Sequence, residues 1–258
     1  MTDKLIVEKH GHTAVITMNN PPANTWTEES LSGLVTVVDE LNQDKQIYAL
    51  VLRSTSEKFF SAGADLNLFA DGDRAMAREM ASQFGRAFES LSKFRGVSIA
   101  AINGFAMGGG LEVALACDIR VAEEQAQMAL PEATVGLLPC AGGTQNLTML
   151  VGEGWAKRMI LCGERIKAPQ AKGIGLVEEL VPQGQAYDKA MELAKAVEKQ
   201  SPTAIAACKQ LIQNNRTHHW DAGYRLEREL FVDLFHTEDQ KEGVNAFLDK
   251  RAPEWKNQ

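Results

Sequence analysis

Between Val97 and Ala114 an apolar run ends at Ile102, the chain turns through Gly104 and then Gly108, Gly109 and Gly110, and it leaves as an apolar helix-like segment carrying one acid, Glu112. Few architectures accept such a passage, because a buried strand must hand over to a helix through residues with no side chains. Glycine has no Cβ, so its backbone N–H can approach a ligand closely and take up angles barred to other residues. At a helix start that N–H is an unpaired donor aimed at negative charge. Glu112 falls in the first turn, where a carboxylate stays ionised unless burial disfavours the charge. The apolar, glycine-rich frame predicts burial. A duller reading of the same residues is that the glycines only let a helix pack closely on a sheet, with Glu112 at the surface.

The flanking chain tells what kind of fold holds this turn. Lys4 to Glu8 and Thr13 to Met18 are β-rich runs around His10-Gly11-His12 and read as a hairpin. Thr27 caps a helix with Leu31, Leu34, Val35, Val38 and Leu41 at helical spacing to about Asn42. Ile47 to Ser54 is a nearly unbroken apolar strand, as in parallel sheets covered on both faces. Phe59 to Leu66 follows as a turn of small residues, and Arg74 to Phe94 as a long amphipathic helix. Past the glycines, Asp118 to Ala122, Gln127 to Leu130 and Val177 to Val181 read as strands. Gln145 to Leu150 and Trp155 to Leu161 read as helices, with Val135 to Thr144 as a connecting loop. From Gln185 onward everything is helical: Ala186 to Lys199, Pro202 to Asn214, Trp220 to Phe235 and Asp239 to Lys250. Strand and helix alternate in the first two thirds, the order that makes crossover units of an α/β fold. The boundary between the alternating core and the helical region is set at 1–195 and 196–258.

Several motifs are excluded by spacing. The glycine stretch is followed by no Lys-Ser or Lys-Thr, so it is not a phosphate-binding loop, and Val113 stands where a dinucleotide fingerprint needs its third glycine. Ser61 is not in a nucleophile elbow, because Phe59 occupies the earlier glycine position. His10, His12, His218, His219 and His236 form no zinc-protease pair, and no metal site is expected. Cys117, Cys140, Cys162 and Cys208 show no CxxC spacing and are expected as reduced, mostly core thiols. Glu123-Glu124 and Glu178-Glu179 are expected at the surface. A net charge of −7 gives no footprint for nucleic acid or an anionic membrane, and no apolar run reaches spanning length. With no signal-peptide pattern at the N-terminus, a cytoplasmic location is expected.

What remains is three loops. Ala62-Gly63-Ala64-Asp65, Gly108-Gly109-Gly110 and Pro131-Glu132 each follow a strand, and in a crossover sheet such loops gather on one edge, where ligands sit. Two backbone N–H groups from the first two loops can then converge on one oxygen and stabilise charge growing on a carbonyl. Glu112 and Glu132 would face the atoms beside it. No nucleophile stands among them, so the indicated chemistry is proton transfer next to a polarised carbonyl.

Phe60 to Leu66, Asn103 to Glu112, Pro131 to Pro139, Ala141 to Gln145 and the closing Glu242 to Arg251 together resemble the crotonase superfamily of enoyl-CoA hydratases and isomerases, nearly end to end. The resemblance implies a spiral of ββα turns followed by a helical trimerisation region, as a homotrimer or homohexamer. It implies that the amides of Ala64 and Gly109 form an oxyanion hole for a thioester oxygen. The catalytic acids would be Glu112 and Glu132, 20 residues apart as in the hydratases. The reaction would be reversible addition of water to a 2-trans-enoyl-CoA, a lyase step in acyl-CoA chemistry such as fatty acid metabolism. Coenzyme A enters as part of the substrate, with no separately bound cofactor. It would lie along Ala62, Ala64, Asp65, Leu66 and Asn67 and against Gly109, with Phe247 and Lys250 helping from the C-terminal helix. Asn67 stands where hydratases often have Lys, and Pro21 to Trp26 replaces the usual leucine-bearing loop, which leaves acyl and CoA details open. A Δ3,Δ2-enoyl-CoA isomerase, needing one acid, is the alternative enzyme; a non-catalytic or RNA-binding protein on this fold is the alternative of another class.

Overall fold

A computed structural model describes residues 2–70, 73–216 and 220–258. His218 and His219 lie outside the described residues. The chain opens with the hairpin β1 (Leu5–His10) and β2 (Thr13–Met18), paired antiparallel, and continues into α1 (Glu28–Gln43). Thr27 caps α1 through a reciprocal pair with Ser30, so two of the orphan amides at its start are satisfied. Then come β3 (Ala49–Ser54), β4 (Phe59–Ser61), a 3-10 turn at Leu66–Phe69 and α2 (Arg74–Ser92). A second passage gives β5 (Val97–Ile102), β6 (Phe105–Met107) and α3 (Gly109–Ala116). A third gives β7 (Ile119–Glu123), β8 (Gln127–Ala129), a 3-10 turn at Glu132–Val135 and α4 (Gly143–Leu161). The remainder is β9 (Ile166–Lys167), α5 (Ala168–Gly173), β10 (Glu179–Val181), α6 (Ala186–Val197), α7 (Pro202–Asn214), α8 (Trp220–Asp233) and α9 (Glu238–Leu248).

Each passage contributes one long and one short strand. The long ones join a six-stranded sheet ordered β1-β2-β3-β5-β7-β10, parallel apart from the β1-β2 hairpin. The short ones form a second sheet, β4-β6-β8-β9. This is the expected spiral of ββα turns, and the second sheet is what simple alternation does not reveal: β4 falls where the residues read as a turn. The six-stranded sheet is covered on both faces with a period of two. Ile16, Leu50, Leu52, Ala100 and Ile102 enter the main core with α1, α2 and α3. Val15, Val51, Ile99, Ala101 and Val121 face the other way onto Ala186, Ala190 and Ala194 of α6. α4 breaks at Gly152, whose φ of 76° lies outside the helical range, matching the two helical segments read from the sequence.

Two expectations are corrected. Glu123 is buried, because Oε1 accepts the N–H of Ala186 at the start of α6 and Oε2 accepts Gln125 Nε2. Glu178 is half-buried and accepts both the backbone N–H and the guanidinium of the buried Arg120. Only Cys117 of the four thiols is a core residue; Cys140, Cys162 and Cys208 are exposed. Among the described residues no helix is long and apolar enough to cross a membrane.

Candidate active site

The short sheet ends where the site begins. β4, β6 and β8 run parallel, so the segments leaving their C-terminal ends collect on one edge. The first segment is fixed by a parallel bridge between Trp26 and Ala64: Trp26 N–H donates to Gly63 O at 2.8 Å, and Asp65 N–H donates to Trp26 O at 3.4 Å. Gly63 and Asp65 therefore supply the groups that face Trp26, and the N–H of Ala64 points to the opposite side. The second segment starts α3. Gly108 takes φ 54°, its N–H donates to Ala129 O, and Gly109 follows as the first helical residue, whose amide has no acceptor within the helix. The two segments touch. A Cβ on Gly63 would lie 3.1 Å from the nitrogen of Gly109 and 2.7 Å from Met107 O, so the approach requires glycine, as does the φ of 91° there.

Glu112, one turn into α3, is 2% exposed. Its Oε1 accepts the N–H of Ala141 at 2.8 Å and of Gly143 at 2.9 Å. Gly143 opens α4 and Ala141 lies two residues before it, so an unpaired donor of the helix start and one from the approaching loop together clamp the carboxylate. Burial pushes the Glu112 carboxyl above its ordinary range, and the two amides pull it back. Glu132 comes from the 3-10 turn after β8 and lies against Gly108, where an added Cβ would stand 3.2 Å from Oε1. Both Glu132 oxygens are sealed from solvent and find no partner on another described residue. Burial pushes its carboxyl up to about 7 against an opposing pull from its own amide, and the charge of Glu112 adds a smaller upward push.

Both acids line one cavity of about 410 Å³ together with Ala62, Gly63, Ala64, Gly108 and Gly109. Its remaining wall is mainly apolar: Leu66, Phe69, Phe84, Val135, Leu137 and Leu138. The three loops named from the sequence thus meet at one place. Of the other expected residues, Ala62 and Leu66 line the cavity. Asp65 and Asn67 do not; the Asp65 carboxylate caps the 3-10 turn by accepting the backbone N–H and Nδ2 of Asn67 at 3.0 and 2.8 Å. Phe247, 83% exposed near the end of α9, and Lys250, just beyond α9, also stand apart from the cavity of their own chain.

Residues 8–258 match the family model for enoyl-CoA hydratase/isomerase. The chain belongs to that family. A solved structure of Pseudomonas aeruginosa DspI superposes on it with a TM-score of 0.96 at 65% identity, covering 99% of this chain and 97% of that one. The short-chain-enoyl-CoA hydratase of Clostridium acetobutylicum is 37% identical over 253 residues, covering 98% of this chain and 97% of the relative. The 2,3-dehydroadipyl-CoA hydratase of Escherichia coli K12 is 39% identical over 254 residues, covering 98% of each. Within this family member, the amides of Ala141 and Gly143 are the parts of the site that sequence reasoning left inside a connecting loop. The signal for them was Gly142-Gly143 ahead of a helix, a run of donors with no visible acceptor.

Proposed function

We propose that the chain is an enoyl-CoA hydratase that adds water reversibly across a 2-trans-enoyl-CoA double bond to give a 3-hydroxyacyl-CoA. The observation that carries this is the pairing of two buried carboxyls with the amide segments of Ala64 and Gly109 in one cavity. The Ala64 and Gly109 N–H groups hold the thioester oxygen and stabilise the enolate charge that develops there, an effect for which one donor is typically worth about 10²- to 10³-fold in rate. Withdrawal of electrons toward that oxygen makes C3 electrophilic. Glu112 and Glu132 share one water between them: its oxygen bonds to C3 while a proton reaches C2, so the double bond is lost and nothing leaves. Glu112, fixed by two amides, orients and activates the water, and Glu132 exchanges the proton at C2. A carboxyl poised near neutrality serves that exchange in both directions.

Catalysis on this account rests on main-chain amides and two carboxyls, with coenzyme A a part of the substrate lying along Ala62 to Asn67. The helical region 196–258 forms a homotrimer or homohexamer, in which Phe247 and Lys250 reach a neighbour's CoA. Support for assembly comes from the apolar surface left open there: Phe231, Val232, Phe235, Phe247 and Leu248 are all more than half exposed. A cytoplasmic place in fatty acid metabolism belongs to the same proposal. The Δ3,Δ2-isomerase alternative needs one acid, and the presence of two in the cavity favours hydration.

The test is a hydration assay with the purified chain, following loss of the conjugated thioester's ultraviolet absorbance and identifying the product. Formation of 3-hydroxyacyl-CoA supports the proposal. Turnover of a 3-enoyl-CoA with none of a 2-enoyl-CoA would replace it by the isomerase.

A further inference from the structure

We infer that the acyl group this site accepts is an apolar chain longer than four carbons and free of any second charge, an inference that rests on the hydratase proposal. Three features of the cavity carry it. Beyond the two acids, the wall is built from Leu66 and Phe69 of the 3-10 turn, Phe84 of α2, and Val135, Leu137 and Leu138 of the segment after Glu132. Four of these are exposed to solvent: Leu66 51%, Val135 53%, Leu137 40% and Leu138 68%. Apolar side chains grouped around a cavity mouth gain when an alkyl chain covers them, about 0.8 kcal/mol per methylene, or roughly fourfold in affinity. A four-carbon enoyl group extends only one methyl past C3 and leaves most of this wall wet.

The third feature is charge. The titratable side chains lining the cavity are Glu112, Glu132 and Cys140; no Lys, Arg or His is among the described lining residues. A substrate tail ending in a carboxylate would enter a wall with no cation to meet it, in the same space as two acids. Burying an unpaired charge against apolar groups, near like charge, is strongly disfavoured. The relatives include hydratases named for short-chain and for dehydroadipyl esters, so family membership alone does not decide between tails. The lining does.

The experiment compares kcat/KM of the full chain for 2-trans-butenoyl-CoA, 2-trans-hexenoyl-CoA and 5-carboxy-2-trans-pentenoyl-CoA; the last two have equal carbon counts. The hexenoyl ester should exceed the butenoyl ester by about fifteenfold, two methylenes at roughly fourfold each. It should exceed the carboxylated ester by at least about a hundredfold. Hydration of the carboxylated ester within tenfold of the hexenoyl ester, or a butenoyl ester equal to or better than the hexenoyl ester, would overturn the inference and leave the hydratase proposal standing. No hydration of any of the three would overturn the hydratase proposal itself. As a second arm, Leu138→Arg places a cation on an already exposed position of the wall. It should shift the ratio toward the carboxylated ester by at least about tenfold; an unchanged ratio would remove Leu138 from the substrate wall.

Discussion

Glu112 and Gly143 hold each other in place: the Gly143 N–H donates to Oε1 of Glu112 at 2.9 Å, and a Cβ on Gly143 would come within 2.8 Å of that same oxygen. The carboxylate needs the amide for its orientation, and the amide can reach it only because residue 143 has no side chain. Gly143→Ala should therefore displace Glu112 and lower kcat by about 10- to 100-fold. Overpacking should cost about 1–3 kcal/mol of stability. Steady-state kinetics alongside urea unfolding separate the two effects.

Glu132 makes stability depend on pH in an unusual direction for an acid. Its folded-state value of about 7 lies above the ordinary 4.5, so between those limits the folded chain binds more protons than the unfolded one. Its contribution is fully present below about pH 4.5 and is lost as pH rises through about 7. Glu132→Gln removes that loss. The variant should be more stable than the parent at pH 8 by about 1 kcal/mol, and the gain should vanish at pH 4. Urea titrations at the two pH values check it.

Arg120 ties the end of α3 to the body of the protein. Its guanidinium, 3% exposed, donates to Cys117 O at 2.8 Å and Leu176 O at 3.0 Å and pairs with Glu178 at 2.6 Å. Arg120→Ala leaves those carbonyls and Glu178 without their donor and should cost about 3–5 kcal/mol, read from chemical denaturation.

Phe231 and Phe235 pack edge to face at 5.5 Å while remaining 63% and 59% exposed. If the C-terminal helices assemble the protein, charge at this pair should prevent it. Sedimentation of Phe235→Asp should give a monomer where the parent gives a trimer or hexamer.

Periodicity carried the fold a long way. The two-residue alternation that sends Ile16 to one core and Val15 to the other is written in the strand, and Thr27 announces the helix it caps. The burial of Glu112 follows from its glycine and alanine neighbours, and the edge-gathering of strand-end loops brought Ala64, Gly109 and Glu132 together. Less was visible where a role depends on a distant partner. β4 and β6 span three residues each, too few to show a period. Glu123 looks like half of an exposed acid pair until α6, 63 positions on, presents the Ala186 amide. The clamp on Glu112 closes across 29 and 31 residues, so Gly142-Gly143 ahead of a helix signals free donors without showing which acid they meet. Cys140 and Cys162 have apolar or small neighbours in sequence, which says nothing about whether another element covers them.

The cooperation of two acids over one water is tested most directly by comparing kcat with binding in Glu112→Gln and Glu132→Gln. Each side chain keeps its shape and loses its proton chemistry. With 2-trans-hexenoyl-CoA, kcat should fall by at least about 10³-fold in either variant, while Kd for the saturated hexanoyl-CoA stays within threefold of the parent. Either variant turning over at the parental rate, with that ester bound equally well, would contradict the account.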